Sequence, residues 1–115
     1  MELSPADFDD LVGQALDEIP AELAALIENV VVLVEDEPPA DDPELLGYYD
    51  GYALTERPAN HSGALPDRIL LFRGPLLRMC DDIEELLDEV RITVVHEVAH
   101  HFGIDDRRLH ELGYA

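Results

Sequence analysis

Lysine is absent from the chain, cysteine occurs once, and the first fifty residues hold no basic side chain. A single thiol, Cys80, cannot close an internal disulfide, so the fold must hold without covalent support, which suits a reducing cytoplasm. Apolar runs are short: Val30–Val34 spans five residues, far below the ~20 that cross a bilayer. The opening Met1-Glu2-Leu3-Ser4-Pro5-Ala6-Asp7 lacks the positive charge of an export leader, and none is expected. Seven Arg against 27 Asp and Glu leave a net charge of −20. Nucleic-acid phosphates and anionic lipid surfaces would be repelled by most of such a surface, so neither is expected as a partner. Fifteen of the carboxylates fall in residues 1–50, while all seven arginines fall in residues 51–115. This excess acid is read as a solvated, solubilising face, and the missing lysine is given no mechanism.

What is present is the make-up of a folded domain. The 115 residues are 47% hydrophobic and 30% charged, with 7 Gly and 8 Pro, enough for one domain over 1–115 and too little for two. Ser4-Pro5 reads as an N-cap and first helical position, and Phe8, Leu11, Val12, Ala15, Leu16 and Ile19 follow at helical spacing, predicting a helix over 5–18. Pro20 interrupts it, and 21–28 predicts a second short helix. Val30–Val34 reads as a buried strand. Residues 47–53, Gly-Tyr-Tyr-Asp-Gly-Tyr-Ala, predict a short strand or hairpin, and 55–67 a loop. Ile69–Phe72 reads as a strand at a sheet edge, stopped by Gly74-Pro75. Asp81 or Asp82 then caps a long helix whose stripe is Ile83, Leu86, Leu87, Val90, Val94, Val98 and Phe102. Gly103 ends it, and Asp105 or Asp106 caps a last short helix.

The informative segment is His96-Glu97-Val98-Ala99-His100-His101-Phe102-Gly103-Ile104-Asp105-Asp106. On a helix, His96 and His100 stand about 40° apart and about 6 Å along the axis, so two imidazoles on adjacent turns can meet one ion. Zinc takes such nitrogens, and Glu97 beside them is placed to accept a proton from water activated by the metal. Catalytic zinc usually has a third protein ligand. On a continued helix Asp106 would lie about 9 Å beyond His100. The chain must turn back, and Gly103 supplies the left-handed conformation that reverses it.

The pattern His96-Glu97-x-x-His100-x-x-Gly103-x-x-Asp106 resembles the Asp-zincins, metallopeptidases related to the metzincins, and the stretch 96–109 is similar to a family of short bacterial zincin-like proteins. A chance match to the full pattern in a chain of this length has odds of roughly one in a hundred thousand. The resemblance implies zinc held by His96, His100 and Asp106, with Glu97 as catalytic base. It implies a reduced zincin-like fold of the α+β class: a small mixed sheet of about three strands, helices packed on it, and a long active-site helix. Two departures stand out. The metzincin methionine turn lies downstream of the motif, whereas Met1 and Met79 lie upstream. Few residues follow Asp106, so the expected site is shallow and open, with Tyr114 folding back as an apolar floor.

Other candidates carry less chemistry. Asp105 is the rival third ligand should the turn shift by one residue. His101 points about 100° from His100 and reads as the partner of a carboxylate or a packed ring. His61 and His110 read as surface histidines, and Tyr48, Tyr49 and Tyr52 as half-buried sheet residues. Cys80 reads as an idle thiol, and Arg107-Arg108 as balance for local acid. The reading is a zinc-dependent peptidase acting on a peptide or protein laid along a sheet edge. The alternative is a metal-binding or interaction module without turnover, and a third option is a structural domain with an empty site. A short chain without disulfides would also gain from homodimerisation.

Overall fold

The computed structural model describes residues 1–51 and 67–114. Tyr52, His61 and the body of the loop expected over 55–67 lie outside the described residues. Helix α1 spans Pro5–Asp17, its N-terminus capped by the Ser4 hydroxyl, which accepts from the Asp7 N–H at 3.1 Å. Phe8, Leu11, Val12 and Ala15 form its buried face. Pro20 opens α2, Ala21–Ala24, which runs into a single 3₁₀ turn over Ala25–Ile27. Strand β1 is Val30–Glu35, β2 is Gly47–Asp50 and β3 is Asp67–Phe72. Helix α3, Arg73–Met79, follows β3 without a loop, and α4, Ile83–Phe102, and α5, Asp106–Glu111, complete the described elements.

The sheet order is β1-β3-β2. Strand β3 is parallel to β1, with Val32 opposite Ile69 and Val34 opposite Leu71. It is antiparallel to β2, with Gly47 opposite Leu71 and Tyr49 opposite Ile69. The sheet is therefore mixed, and the class is α+β. This order corrects the expected edge position of Ile69–Phe72: β3 is the central strand, and β1 and β2 are the edges. Val30–Val34, expected as a buried strand, instead forms edge strand β1, with Val31 and Leu33 exposed on its outer face. The strand does stop at Phe72, just before Gly74-Pro75, and these two residues lie in the first turn of α3. Proline is tolerated there because the first turn's N–H groups have no intrahelical acceptor.

The core forms where α1 and the sheet meet α4. Leu86, Val90, Val94, Val95, Val98 and Ala99 of α4 are buried, together with Ile69 and Leu71 of β3, Leu76 of α3 and Leu109 of α5. Thr93 is the one polar residue among the described buried set, and its hydroxyl is satisfied by donating to the Glu89 carbonyl at 2.7 Å. The opposite face of the sheet shows Val31, Leu33 and Tyr48 to solvent. Among the described residues no helix is long and apolar enough to cross a membrane.

The uneven charge along the sequence has a structural counterpart. Arg68 pairs with Asp50, Arg73 with Asp36, Arg78 with Glu37, Arg91 with Glu18 and Arg108 with Glu22. Each pair joins an arginine of residues 51–115 to a carboxylate of residues 1–50.

Candidate metal centre

Helix α4 carries the motif at its C-terminal end. Its start is fixed by Asp82, whose carboxylate accepts from the Glu85 N–H at 2.8 Å, and its end by Gly103 at φ +70°. The Gly103 N–H points to the His100 carbonyl at 3.4 Å and the Ile104 N–H to the Ala99 carbonyl at 2.9 Å. This pair of reversed hydrogen bonds is the Schellman arrangement, which terminates a helix on a left-handed residue. Gly103 thus reverses the chain into α5, as its place in the motif suggests.

His96 and Glu97 are half-buried and His100 is exposed. Glu97 Oε2 lies 3.9 Å from His100 Nδ1. Tyr48, Tyr49, Glu97, His100 and His101 line an open hollow of about 260 Å³ between edge strand β2 and the end of α4. The expected base and one expected ligand therefore share one concavity with the sheet edge. His96, one turn back, is engaged elsewhere: its Nε2 lies 3.0 Å from the main-chain carbonyl of Tyr114.

Asp106 is the first residue of α5 and is exposed. Its neighbour Asp105 is the N-cap of that helix, accepting from the Arg108 N–H at 2.9 Å. Among the described residues, no group of three or more His, Cys, Asp or Glu side chains converges on a point that would hold a metal. The donor chemistry of His96, His100 and Asp106, two imidazoles and a carboxylate, is of the kind zinc accepts.

The remaining candidates have defined surroundings. His101 stacks on the Tyr49 ring with centroids 3.9 Å apart, and its Nε2 is 3.8 Å from Asp67 Oδ2. It has both a packed ring and a carboxylate beside it. The Tyr49 hydroxyl donates to the same oxygen at 2.8 Å, so Asp67 ties the edge strand to the helix end. No sequence spacing pointed to Asp67; the signal lies in strand register, which puts it near Tyr49 across the β2–β3 pair. Tyr114 reaches His96 through its main-chain carbonyl, whereas its ring, expected as an apolar floor, faces the Arg91 guanidinium at 5.9 Å. Burial pushes the Tyr114 phenol above its ordinary pKa, opposed by Arg91. Cys80 is buried, and desolvation followed by the Glu85 and Glu89 charges pushes its thiol up to about 11. His110 is exposed on α5. Arg107 lies 3.8 Å from Glu111, and Arg108 pairs with Glu111 as well as Glu22.

Comparison with known proteins bears on the fold and the family. No curated protein sequence matches the chain significantly. Among solved structures, a conserved hypothetical protein from Thermus thermophilus is similar over 87% of this chain and 94% of its own, with a TM-score of 0.57 and 24% identity, a likeness of fold. A family described as zincin-like metallopeptidase matches residues 27–114, which include the whole sheet and the motif helix. The chain belongs to the zincin-like metallopeptidase family.

Proposed function

We propose that the protein is a zinc-dependent peptidase of the Asp-zincin type, with His96, His100 and Asp106 holding the ion and Glu97 acting as general base. One observation carries the reading: Glu97 and His100 line a single hollow against an edge strand, where an extended peptide has main-chain partners. When bound, zinc supplies the Lewis acidity that polarises a peptide carbonyl and makes water easier to deprotonate. The Glu97 carboxylate takes the proton of the attacking water and returns it to the leaving amine. Its half-buried position beside His100 limits competing hydration. Tyr48 and Tyr49 wall the same hollow and would bear on substrate side chains. The edge offered to the peptide is β2, since β3 is central.

The three donors need to be drawn together for this chemistry, because His96 is engaged by Tyr114 and Asp106 stands exposed on α5. That same observation favours a second reading, a metal-binding or interaction module on the zincin scaffold without turnover. Zinc stoichiometry and a broad peptide-library digest, each on wild type and Glu97→Gln, separate the two. The peptidase reading expects both proteins to hold one zinc and only the wild type to cleave. Zinc bound by both with no cleavage by either would leave the module.

A further inference from the structure

We propose that the main-chain carbonyl of Tyr114 is a latch on His96 that the protein opens to load metal. The inference rests on the zinc reading above and concerns how this chain controls that site.

A carbonyl oxygen accepts and never donates, so the 3.0 Å contact fixes the imidazole proton of His96 on Nε2. A nitrogen carrying that proton has no lone pair for a metal. On His100 it is Nδ1 that lies toward Glu97, at 3.9 Å, which leaves Nε2 as the nitrogen turned away from the base. Two residues one helical turn apart reach a shared point most readily through Nε2, the ring nitrogen farther from the main chain. Metal and Tyr114 therefore compete for one atom of His96.

The contact is built into the end of the fold. Gly113 sits at φ +89°, where a residue with a side chain is strained. Around it the Gly113 N–H donates to the His110 carbonyl at 3.0 Å and the Tyr114 N–H to the Leu109 carbonyl at 2.8 Å. This is a second Schellman turn, at the end of α5. Leu109, 3% exposed, anchors that helix in the core. The Tyr114 ring rests against Arg91, which is itself held by Glu18 at 3.1 Å and Asp88 at 2.9 Å. The same six-residue helix carries Asp106 at its first position, and Tyr114 follows its last residue, Glu111, by three. Releasing Tyr114 frees His96 and loosens the element that holds Asp106 away from it.

The test compares zinc affinity, by competition with a chromophoric chelator, in the wild type, in Gly113→Val and in a chain lacking residues 114 and 115. A lost hydrogen bond of ordinary strength predicts zinc about three- to tenfold tighter in both released variants. Tyr114→Phe, which keeps the carbonyl, should bind as the wild type does. ¹H–¹⁵N NMR of the His96 ring should show the proton on Nε2 in the metal-free wild type and its loss from Nε2 at saturating zinc. Equal or weaker zinc affinity in folded released variants overturns the latch and leaves the zinc reading standing. Absence of zinc binding in every protein, wild type included, overturns both. Should neither released variant fold, the Nε2 proton decides: its persistence in the zinc-saturated wild type overturns the latch.

Discussion

Replacing Gly47 with alanine tests how β2, one wall of the candidate site, is seated on α4. A Cβ at position 47 would lie 2.6 Å from Thr93 Cγ2, 3.1 Å from the Leu70 carbonyl oxygen and 3.4 Å from Leu71 Cδ2. The Thr93 methyl has little freedom to withdraw, because the residue is buried and its hydroxyl donates to the Glu89 carbonyl at 2.7 Å. Overpacking of this kind costs about 1–3 kcal/mol, and the entropy removed from the unfolded chain returns about 0.4–1 kcal/mol. The expected net loss is about 1–2 kcal/mol, read as a lower urea midpoint at unchanged m. Thr93→Ser removes the offending methyl and keeps the hydroxyl bond, so the double variant should recover about half of the loss. Recovery stays partial because the Leu70 carbonyl remains in place. The assay is a double-mutant cycle by urea unfolding followed by circular dichroism. Additivity of the two substitutions to within about 0.5 kcal/mol would refute the close approach of β2 and α4.

Three further outcomes follow from the site and its surroundings. Asparagine keeps a capping oxygen but loses the charge, so Asp105→Asn should leave zinc affinity and stability near wild type, whereas Asp106→Asn should weaken zinc at least tenfold by chelator competition; the reverse ranking would move the third ligand to Asp105. Cys80, raised to about 11, should react with iodoacetamide at pH 8 far more slowly in the native than in the urea-unfolded protein, and equal rates would contradict its burial. Because its folded value lies above the unfolded one, the stability it contributes is present at neutral pH and lost as pH climbs from the ordinary thiol range toward 11. Cys80→Ala should flatten that part of the alkaline stability curve.

Much of this was legible because local chemistry and tertiary structure agree. Ser4-Pro5 and Asp82 mark helix starts by satisfying or not needing N–H groups, and Gly103 marks a stop because it alone among its neighbours takes φ +70° without strain. The spacing of His96, Glu97 and His100 on one helix follows from the same periodicity. What escaped depends on pairing across the chain. Strand order is decided by which edges meet, and the unbroken runs Val30–Val34 and Ile69–Phe72 look alike although the first is an edge and the second is central. Helix α3 was hidden by Gly74-Pro75, whose breaking tendency vanishes in a first turn. The link from Asp67 to Tyr49 and His101 needs the β2–β3 register, and the contact of Tyr114 with His96 needs two successive glycine reversals.

The arginine–carboxylate pairs show why the acid excess is more than a solubilising coat, and they set up two effects of salt with opposite signs. Five arginines of residues 51–115 each hold a carboxylate of residues 1–50. Exposed pairs contribute about 0.2–1 kcal/mol each, and five of them do not offset the self-repulsion of a chain carrying a net −20. Screening falls on both, since the Debye length is about 10 Å at 0.1 M salt. The larger, repulsive part wins globally, so thermal stability should rise between about 0.02 and about 0.3 M NaCl. Locally the balance reverses at α5, where Arg108 ties the helix to Glu22 of α2. Amide exchange in α5 should therefore quicken over the same range in which the melting temperature climbs. Parallel protection of α5 and of the α4 core would show that the arginine pair does not hold the tail, and a falling melting temperature would show that repulsion among the carboxylates is not the dominant charge effect.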